Sequence, residues 1–167
     1  MEVVEHIKRH YESLYRFAYR MLGNSEMAED VAQEALLRMV HHRPQGLEGE
    51  SVRRWLFVVA RNLCMSHLRR RAARREEPLD DAPEVPSPGL NPAEIAQMAE
   101  RSKWIRDTVA QLPPAMREVV ILREYEGMNY AQIAEIANCS LGTVRSRLAR
   151  AREELRKRLQ PLLEELR

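Results

Sequence analysis

The sequence predicts an all-α protein made of two small helical domains, joined by a flexible acidic Pro-rich linker, with a helix-turn-helix in the second. Three observations carry this reading. Apolar residues recur at helical spacing along nearly the whole chain, and no alternating β pattern appears. Five prolines over 77–92 (Pro78, Pro83, Pro86, Pro88, Pro92), with Ser87 and Gly89, mark an extended linker, 77–91, and the boundary between domains at 1–76 and 92–167. Residues 129–158 read as a short helix, a tight turn and a longer basic helix, the order of a helix-turn-helix.

The first helix is expected over 2–22, with Leu14, Phe17, Ala18, Met21 and Leu22 on one face and Gly23 ending it. Asn24 or Ser25 caps the second, and Glu26, Glu29 and Asp30 in its first turns suit the helix dipole. It runs to about His42, with Ala28, Val31, Ala32, Ala35, Leu36 and Met39 facing inward. Its other face sets Asp30, Gln33, Glu34 and Leu37 side by side. A leucine among acids reads either as an ordinary exposed side chain or as part of a docking surface for a basic partner.

Residues 43–50 form a loop with Pro44, Gly46 and Gly49, and Ser51 is expected to cap a helix reaching about Arg75. The predicted core stripe is Trp55, Leu56, Val59, Ala60 and Leu63. Arg54, Phe57, Val58, Arg61 and Met65 lie opposite, with Asn62 and Arg69 beside them. Arginines interleaved with apolar groups suit nucleic acid, where cations meet phosphates and apolar groups meet bases; the alternative is a second packed face.

Beyond the linker, Asn91 and Pro92 start a helix as N-cap and N1, and it runs to about Leu112. Pro113-Pro114 breaks it and starts another, leading through Met116, Val119, Val120 and Leu122 to Gly127. The helix-turn-helix follows: a helix at Tyr130–Ala137, a turn at Asn138-Cys139-Ser140, and a second helix capped by Ser140. Its predicted inward stripe is Leu141, Val144, Leu148, Ala151, Leu155 and Leu159. The opposite face carries Thr143, Ser146, Ala149 and Arg150, flanked by Arg145 and Arg147. Such a helix fits a major groove, where Arg bonds guanine edges and Ser or Thr bonds bases or phosphates. Ala134 and Gly142 suggest close packing of the two helices.

Net charge is only +2, so its distribution matters more than its sum. Residues 69–75 hold five Arg, residues 145–158 hold six Arg and one Lys, and residues 76–94 between them are acidic with no base. Cys64 and Cys139 lie far apart with no CxxC pattern, which suits a reducing cytoplasm rather than a disulfide. The histidines lack partners at ligand spacing, so no metal is expected. Without a signal peptide or a long apolar run, a soluble intracellular protein without membrane insertion is expected. No P-loop, GxSxG, HExxH or Rossmann pattern occurs, and no nucleophile–base arrangement is evident, so an enzyme is not expected.

Several stretches together carry a family resemblance: Tyr-Arg-Met-Leu-Gly-Asn (19–24), Ala-Glu-Asp-Val-Ala-Gln-Glu-Ala (28–35), Trp-Leu-Phe-Val-Val-Ala-Arg-Asn-Leu (55–63), Leu-Pro-Pro-Ala-Met-Arg-Glu-Val (112–119) and Gly-Thr-Val-Arg-Ser-Arg-Leu-Ala-Arg-Ala-Arg (142–152). In this order the chain resembles an extracytoplasmic-function sigma factor, the promoter-recognition subunit of bacterial RNA polymerase. The resemblance implies that Asp30, Gln33, Glu34 and Leu37 dock on core polymerase. It implies that the helix at 51–75 and its preceding loop melt and read the minus-10 region, through Leu47, Arg54, Arg61, Asn62, Arg69 and Arg70. Asn62 matches a base-pocket residue, and Leu47 falls near another position where an aromatic is familiar. Thr143, Arg145, Ser146, Arg147, Ala149 and Arg150 would read the minus-35 duplex; Ala149 is small where some members are bulkier.

By the same resemblance the acidic linker threads the polymerase's RNA channel and is expelled by nascent RNA. The implied partners are core RNA polymerase, promoter DNA and an anti-sigma factor, which in this family often holds the sigma factor at the membrane. No cofactor and no small-molecule substrate are implied. The sequence stops at Arg167, soon after the DNA-reading helix, so no further regulatory domain is expected. The rival readings are a stand-alone helix-turn-helix regulator, or an interaction protein that sequesters core enzyme.

Overall fold

Caps and breakers delimit the helices much as the sequence predicts. The computed structural model describes residues 2–42, 44–74, 89 and 91–167. Among them are α1 (Glu2–Leu22), α2 (Ser25–His42), α3 (Glu50–Arg74), α4 (Pro92–Ala110), α5 (Pro114–Val120), α6 (Tyr130–Ala137) and α7 (Leu141–Glu165), and no strand. The linker residues 77–88 and 90, with most of the acidic run, lie outside the described residues.

Gly23 takes φ +65°, the left-handed conformation that stops α1. Asn24 then caps α2, its side-chain oxygen accepting from the Met27 N–H at 2.9 Å. Leu14, Phe17, Ala18, Met21 and Leu22 are buried against Ala28, Val31, Ala32 and Ala35. α3 closes this three-helix half by packing on both α1 and α2.

Two expectations for α3 need correction. Ser51 is not the N-cap, because the helix already begins at Glu50. Its hydroxyl instead accepts from the Glu48 N–H and donates to the Glu48 carbonyl, which ties the loop to the first turn. Phe57 does not belong to the open face. It is buried and packs edge-on against Phe17, with ring centroids 5.4 Å apart. The buried stripe of α3 is therefore Val52, Leu56, Phe57, Val59, Ala60 and Cys64, rotated from the predicted one, while Trp55 and Leu63 are only partly buried.

In the second half, Asn91 and Glu94 form a reciprocal capping box at the start of α4, and Asn129 and Gln132 form another at the start of α6. α5 continues into a π-helical turn, Ile121–Tyr125, that the sequence did not announce. Gly127, at φ +65°, ends it and sends the chain into the helix-turn-helix. Asn138 makes the tight turn in the left-handed region (φ 51°, ψ 55°), which Asn tolerates better than most residues. Ser140 caps α7, accepting from the Thr143 N–H at 3.1 Å.

The inward stripe of α7 is Val144, Leu148, Ala151 and Leu162, with Leu155 and Leu159 half-buried. Leu141, predicted on that stripe, is 46% exposed because it lies at the first helical position, before the helix reaches the core. Gly142 is not a close-approach position either. A Cβ there would meet nothing nearer than the Ser140 hydroxyl at 3.9 Å.

The two halves pack on each other, α3 against α6 and α5, and α1 against α4 and α5. Arg117 is a keystone of this arrangement. Its guanidinium donates to the Met21 carbonyl at the end of α1, and to the Ala110 and Leu112 carbonyls (2.7 and 2.9 Å) at the end of α4. One cation thus satisfies the orphan carbonyls of two helix C-termini from different halves.

Candidate polymerase and DNA surfaces

The acidic cluster on α2 is assembled as the sequence suggests. Asp30, Gln33 and Leu37 are exposed and Glu34 is half-exposed, tied to Arg38 at 2.7 Å. They line a groove of ≈ 320 Å³ together with Val31 and with Leu63 and His67 of α3. Leu63 and His67 were missed as members of this site. The available signal was their i, i+4 spacing, which sets them on one strip of α3. Burial and the neighbouring Arg70 and Arg71 hold the His67 imidazolium below its usual range, against the pull of Asp30. Leu37, 53% exposed, adds an apolar side chain beside the two carboxylates of this groove.

The candidate minus-10 residues are less uniform. Leu47 packs partly against the core, whereas Asn62, Arg69 and Arg70 are exposed. Arg69 bonds Ser66 at 3.2 Å and Arg70 approaches His67 at 3.4 Å, so both stay near their own helix. Arg54 and Arg61 instead reach across to the second half. Arg54 Nε lies 3.2 Å from Glu135 Oε2. Arg61 donates to both oxygens of Glu118, from Nε at 2.7 Å and from Nη2 at 3.2 Å. Arg53, not singled out in the sequence, donates to the Glu126 carbonyl at 3.1 Å and to its carboxylate at 3.2 Å. The second reading of this helix face, a packed one, therefore describes Arg54, Arg61 and Phe57.

Glu118 is the charge around which this contact forms. It is fully buried (0% exposed) and meets Arg61 on one side and Arg147 at 3.6 Å on the other. Burial raises its carboxyl pKa, while the bond from Arg61 and the charge of Arg147 oppose that rise. The same bidentate bond holds the Arg61 guanidinium above its usual range. A sequence signal existed: Glu118 shares a helical face with Ile121 and Leu122, both buried, and an acid there must find a cation. Glu126, beside Arg53 and Arg20, is also raised by burial.

On α7, Arg145, Ser146, Ala149 and Arg150 are exposed on the side opposite Val144, Leu148 and Ala151. Thr143 is half-exposed, its hydroxyl 2.9 Å from that of Ser140, and the Ser146 hydroxyl donates to the Thr143 carbonyl. Arg147 differs from its neighbours because it turns inward to Glu118 and is 28% exposed. The exposed set forms a strip of two guanidinium groups separated by small side chains, opposite the buried side of the helix. Cys64 is buried, which pushes its thiol pKa well up and keeps it inert at neutral pH.

Comparison with known proteins fits this layout. Residues 6–74 match the family model for Sigma-70 region 2, and residues 102–155 match that for Sigma-70, region 4. The ECF RNA polymerase sigma factor SigE of Mycolicibacterium smegmatis is 35% identical over 91% of this chain, which spans 59% of that relative's length. SigW of Bacillus subtilis is 31% identical, over 90% of this chain and 85% of the relative. SigL of Mycobacterium tuberculosis is 37% identical, over 92% and 86%. The sigma factor RpoE of Bartonella quintana, solved in complex with the anti-sigma factor NepR, shares the fold at a TM-score of 0.72, with 23% identity over 95% of this chain and 97% of that one. With both regions matched in order, and with relatives above 30% identity aligned along most of their length, the chain belongs to the extracytoplasmic-function sigma factors of the sigma-70 family.

Proposed function

We propose that this chain confers promoter specificity on bacterial core RNA polymerase. Residues 1–76 dock on the polymerase through Asp30, Gln33, Glu34 and Leu37, and read unpaired minus-10 bases through Leu47, Arg54, Arg61, Asn62, Arg69 and Arg70. Residues 92–167 read the minus-35 duplex through Thr143, Arg145, Ser146, Ala149 and Arg150, with Arg147 bracing the helix through Glu118. Residues 77–91 tether the two. The observation that carries the reading is the exposed Arg145–Arg150 strip on a helix whose opposite side is buried, in a chain that also presents the acidic groove of α2.

The mechanism is binding, with no covalent step and no cofactor assigned to this chain. Phosphate contacts set position and base-edge contacts set sequence preference. The chain acts in the bacterial cytoplasm, and no helix among the described residues is long and apolar enough to cross a membrane. Its natural antagonist is an anti-sigma factor, as NepR is for the Bartonella quintana relative, and such a factor would supply any attachment to the membrane.

The test is run-off transcription with core polymerase on a fragmented genomic template. Discrete new start sites are expected with this chain. They should disappear with Asp30→Arg combined with Glu34→Arg, while circular dichroism shows the helical fold retained. Absence of new starts, with tight duplex binding by the chain alone, would overturn the reading in favour of a stand-alone regulator.

A further inference from the structure

We propose that Leu141 is a base-reading residue of the helix-turn-helix: its isobutyl group meets the C5-methyl of a thymine in the upstream duplex, within about two base pairs of the base met by Arg145. The inference rests on the duplex-reading assignment of α7 given above and deepens it. Among the described residues of the helix-turn-helix, 129–158, Leu141 is the one large apolar side chain left exposed, at 46%. It belongs neither to the buried core nor to the half-buried residues packed on it, so the fold gives it no task.

Its position supplies one. Leu141 is the first residue of α7, and a recognition helix meets base edges through its N-terminal residues. Residues four apart line up on a helix surface, so the exposed face divides into two neighbouring ridges: Leu141, Arg145 and Ala149 on one, Gly142, Ser146 and Arg150 on the other. At the helix start the second ridge carries no side chain, and a Cβ on Gly142 would meet nothing nearer than the Ser140 hydroxyl at 3.9 Å. The polar groups of this turn are already engaged. The Ser140 hydroxyl accepts from the Thr143 N–H at 3.1 Å and lies 2.9 Å from the Thr143 hydroxyl, and the Thr143 carbonyl accepts from Ser146. The base edges beside the first turn are therefore left to Leu141. A leucine neither donates nor accepts a hydrogen bond, and the thymine methyl is the apolar group that major-groove edges present. Any other base would set an unpaired polar atom against the side chain. Leu141 and Arg145 are separated by about 6 Å along the helix axis, close to two base-pair steps of about 3.4 Å.

The experiment uses holoenzyme assembled from core polymerase and the full chain, on a promoter duplex recovered by the run-off assay. Each thymine of the upstream element, on either strand, is replaced in turn by uracil, which removes the methyl and keeps every hydrogen-bonding group. Competition binding should show wild type losing about fourfold in affinity at one such position, the worth of one buried carbon. Leu141→Ala should bind the unmodified duplex at least that much more weakly and lose nothing further from the same replacement. Leu141→Met, apolar and of similar size, should keep part of the uracil effect.

A uracil effect equal in wild type and Leu141→Ala would place the methyl contact on another residue, such as Ala149, and overturn the proposal. So would the absence of any uracil effect, or a lowered thermal melt for Leu141→Ala, which would return the side chain to the core. Arg150→Ala on the same duplexes keeps the two readings apart. If it loses discrimination between base pairs while Leu141→Ala does not, α7 reads the duplex without Leu141. If neither variant alters binding, the duplex-reading assignment falls and this inference falls with it.

Discussion

Helices α3 and α7 are each 25 residues long, and each carries an apolar stripe with arginines around it. They differ in what those arginines meet. On α7, Arg145 and Arg150 face solvent; on α3, Arg53, Arg54 and Arg61 are partly buried on acids of the other half. The difference shows that a basic helical face does not by itself specify its partner. A guanidinium pairs with the anion that packing brings within reach, even a fully buried one such as Glu118, and that anion can belong to DNA or to the same chain.

The sharpest way to break this comparison is at Phe57, whose burial rotates α3 so that the arginines face α5 and α6. Phe57→Ala should destabilise the fold by about 3–5 kcal/mol in denaturant titrations. Leu141→Ala on α7, exposed although it lies on the predicted stripe, should stay within about 0.5 kcal/mol of wild type. Equal losses at both positions would mean that the buried stripes are misassigned.

Next in size is Glu118→Ala, which strands Arg61 and Arg147 beside a buried void. Breaking a buried pair costs about 3–5 kcal/mol when the remaining charge is fully buried, so with both guanidiniums partly hydrated a loss of roughly 2–3 kcal/mol is expected. Glu118→Gln, which keeps the acceptor oxygen, should cost less. A loss no larger than that of an ordinary surface substitution would remove Glu118 as the charge that organises this contact.

Arg150→Ala should weaken binding at particular upstream base pairs by about 1–3 kcal/mol if its contact is bidentate to guanine, with stability unchanged. Arg147→Ala should instead lower stability, because it removes one of the two cations on Glu118. Competition binding on single-base variants of the duplex, beside thermal melts, separates the two arginines. A sequence-independent loss for Arg150→Ala would indicate a phosphate contact.

The smallest effect concerns pH. The folded pKa of His67 lies below its ordinary 6.5. Its contribution to stability is therefore present above the unfolded value and lost as pH falls through the folded one. Glu118 and Glu126, raised above 4.5, act with the opposite sign, their contribution fading as pH rises through their folded values. The difference between wild type and His67→Gln isolates the histidine: the gap in stability should change below pH 6.5 and stay constant above it. A gap independent of pH throughout would remove His67 as a titrating group of the α2–α3 groove.

Much of this molecule is determined locally and is legible in the residues. Gly23, Asn24, Asn91-Pro92, Pro113-Pro114, Asn129 and Ser140 delimit helices through backbone conformations and caps that need only a few neighbours. The α1 core face and the α7 stripe from Val144 to Ala151 follow from helical period, and the Arg145–Arg150 strip follows as its complement. The acidic cluster of α2 is legible for the same reason.

Only the tertiary structure decided the rest. The rotation of α3 that buries Phe57 depends on Phe17 of another helix, and the exposure of Leu141 depends on where the core ends. The pairing of Arg61 and Arg147 on Glu118 joins residues 57 and 29 positions away from the carboxylate. Periodicity tells which side of a helix is apolar. It does not tell which distant charge will meet an arginine, because that choice is made by packing and desolvation once the halves have come together.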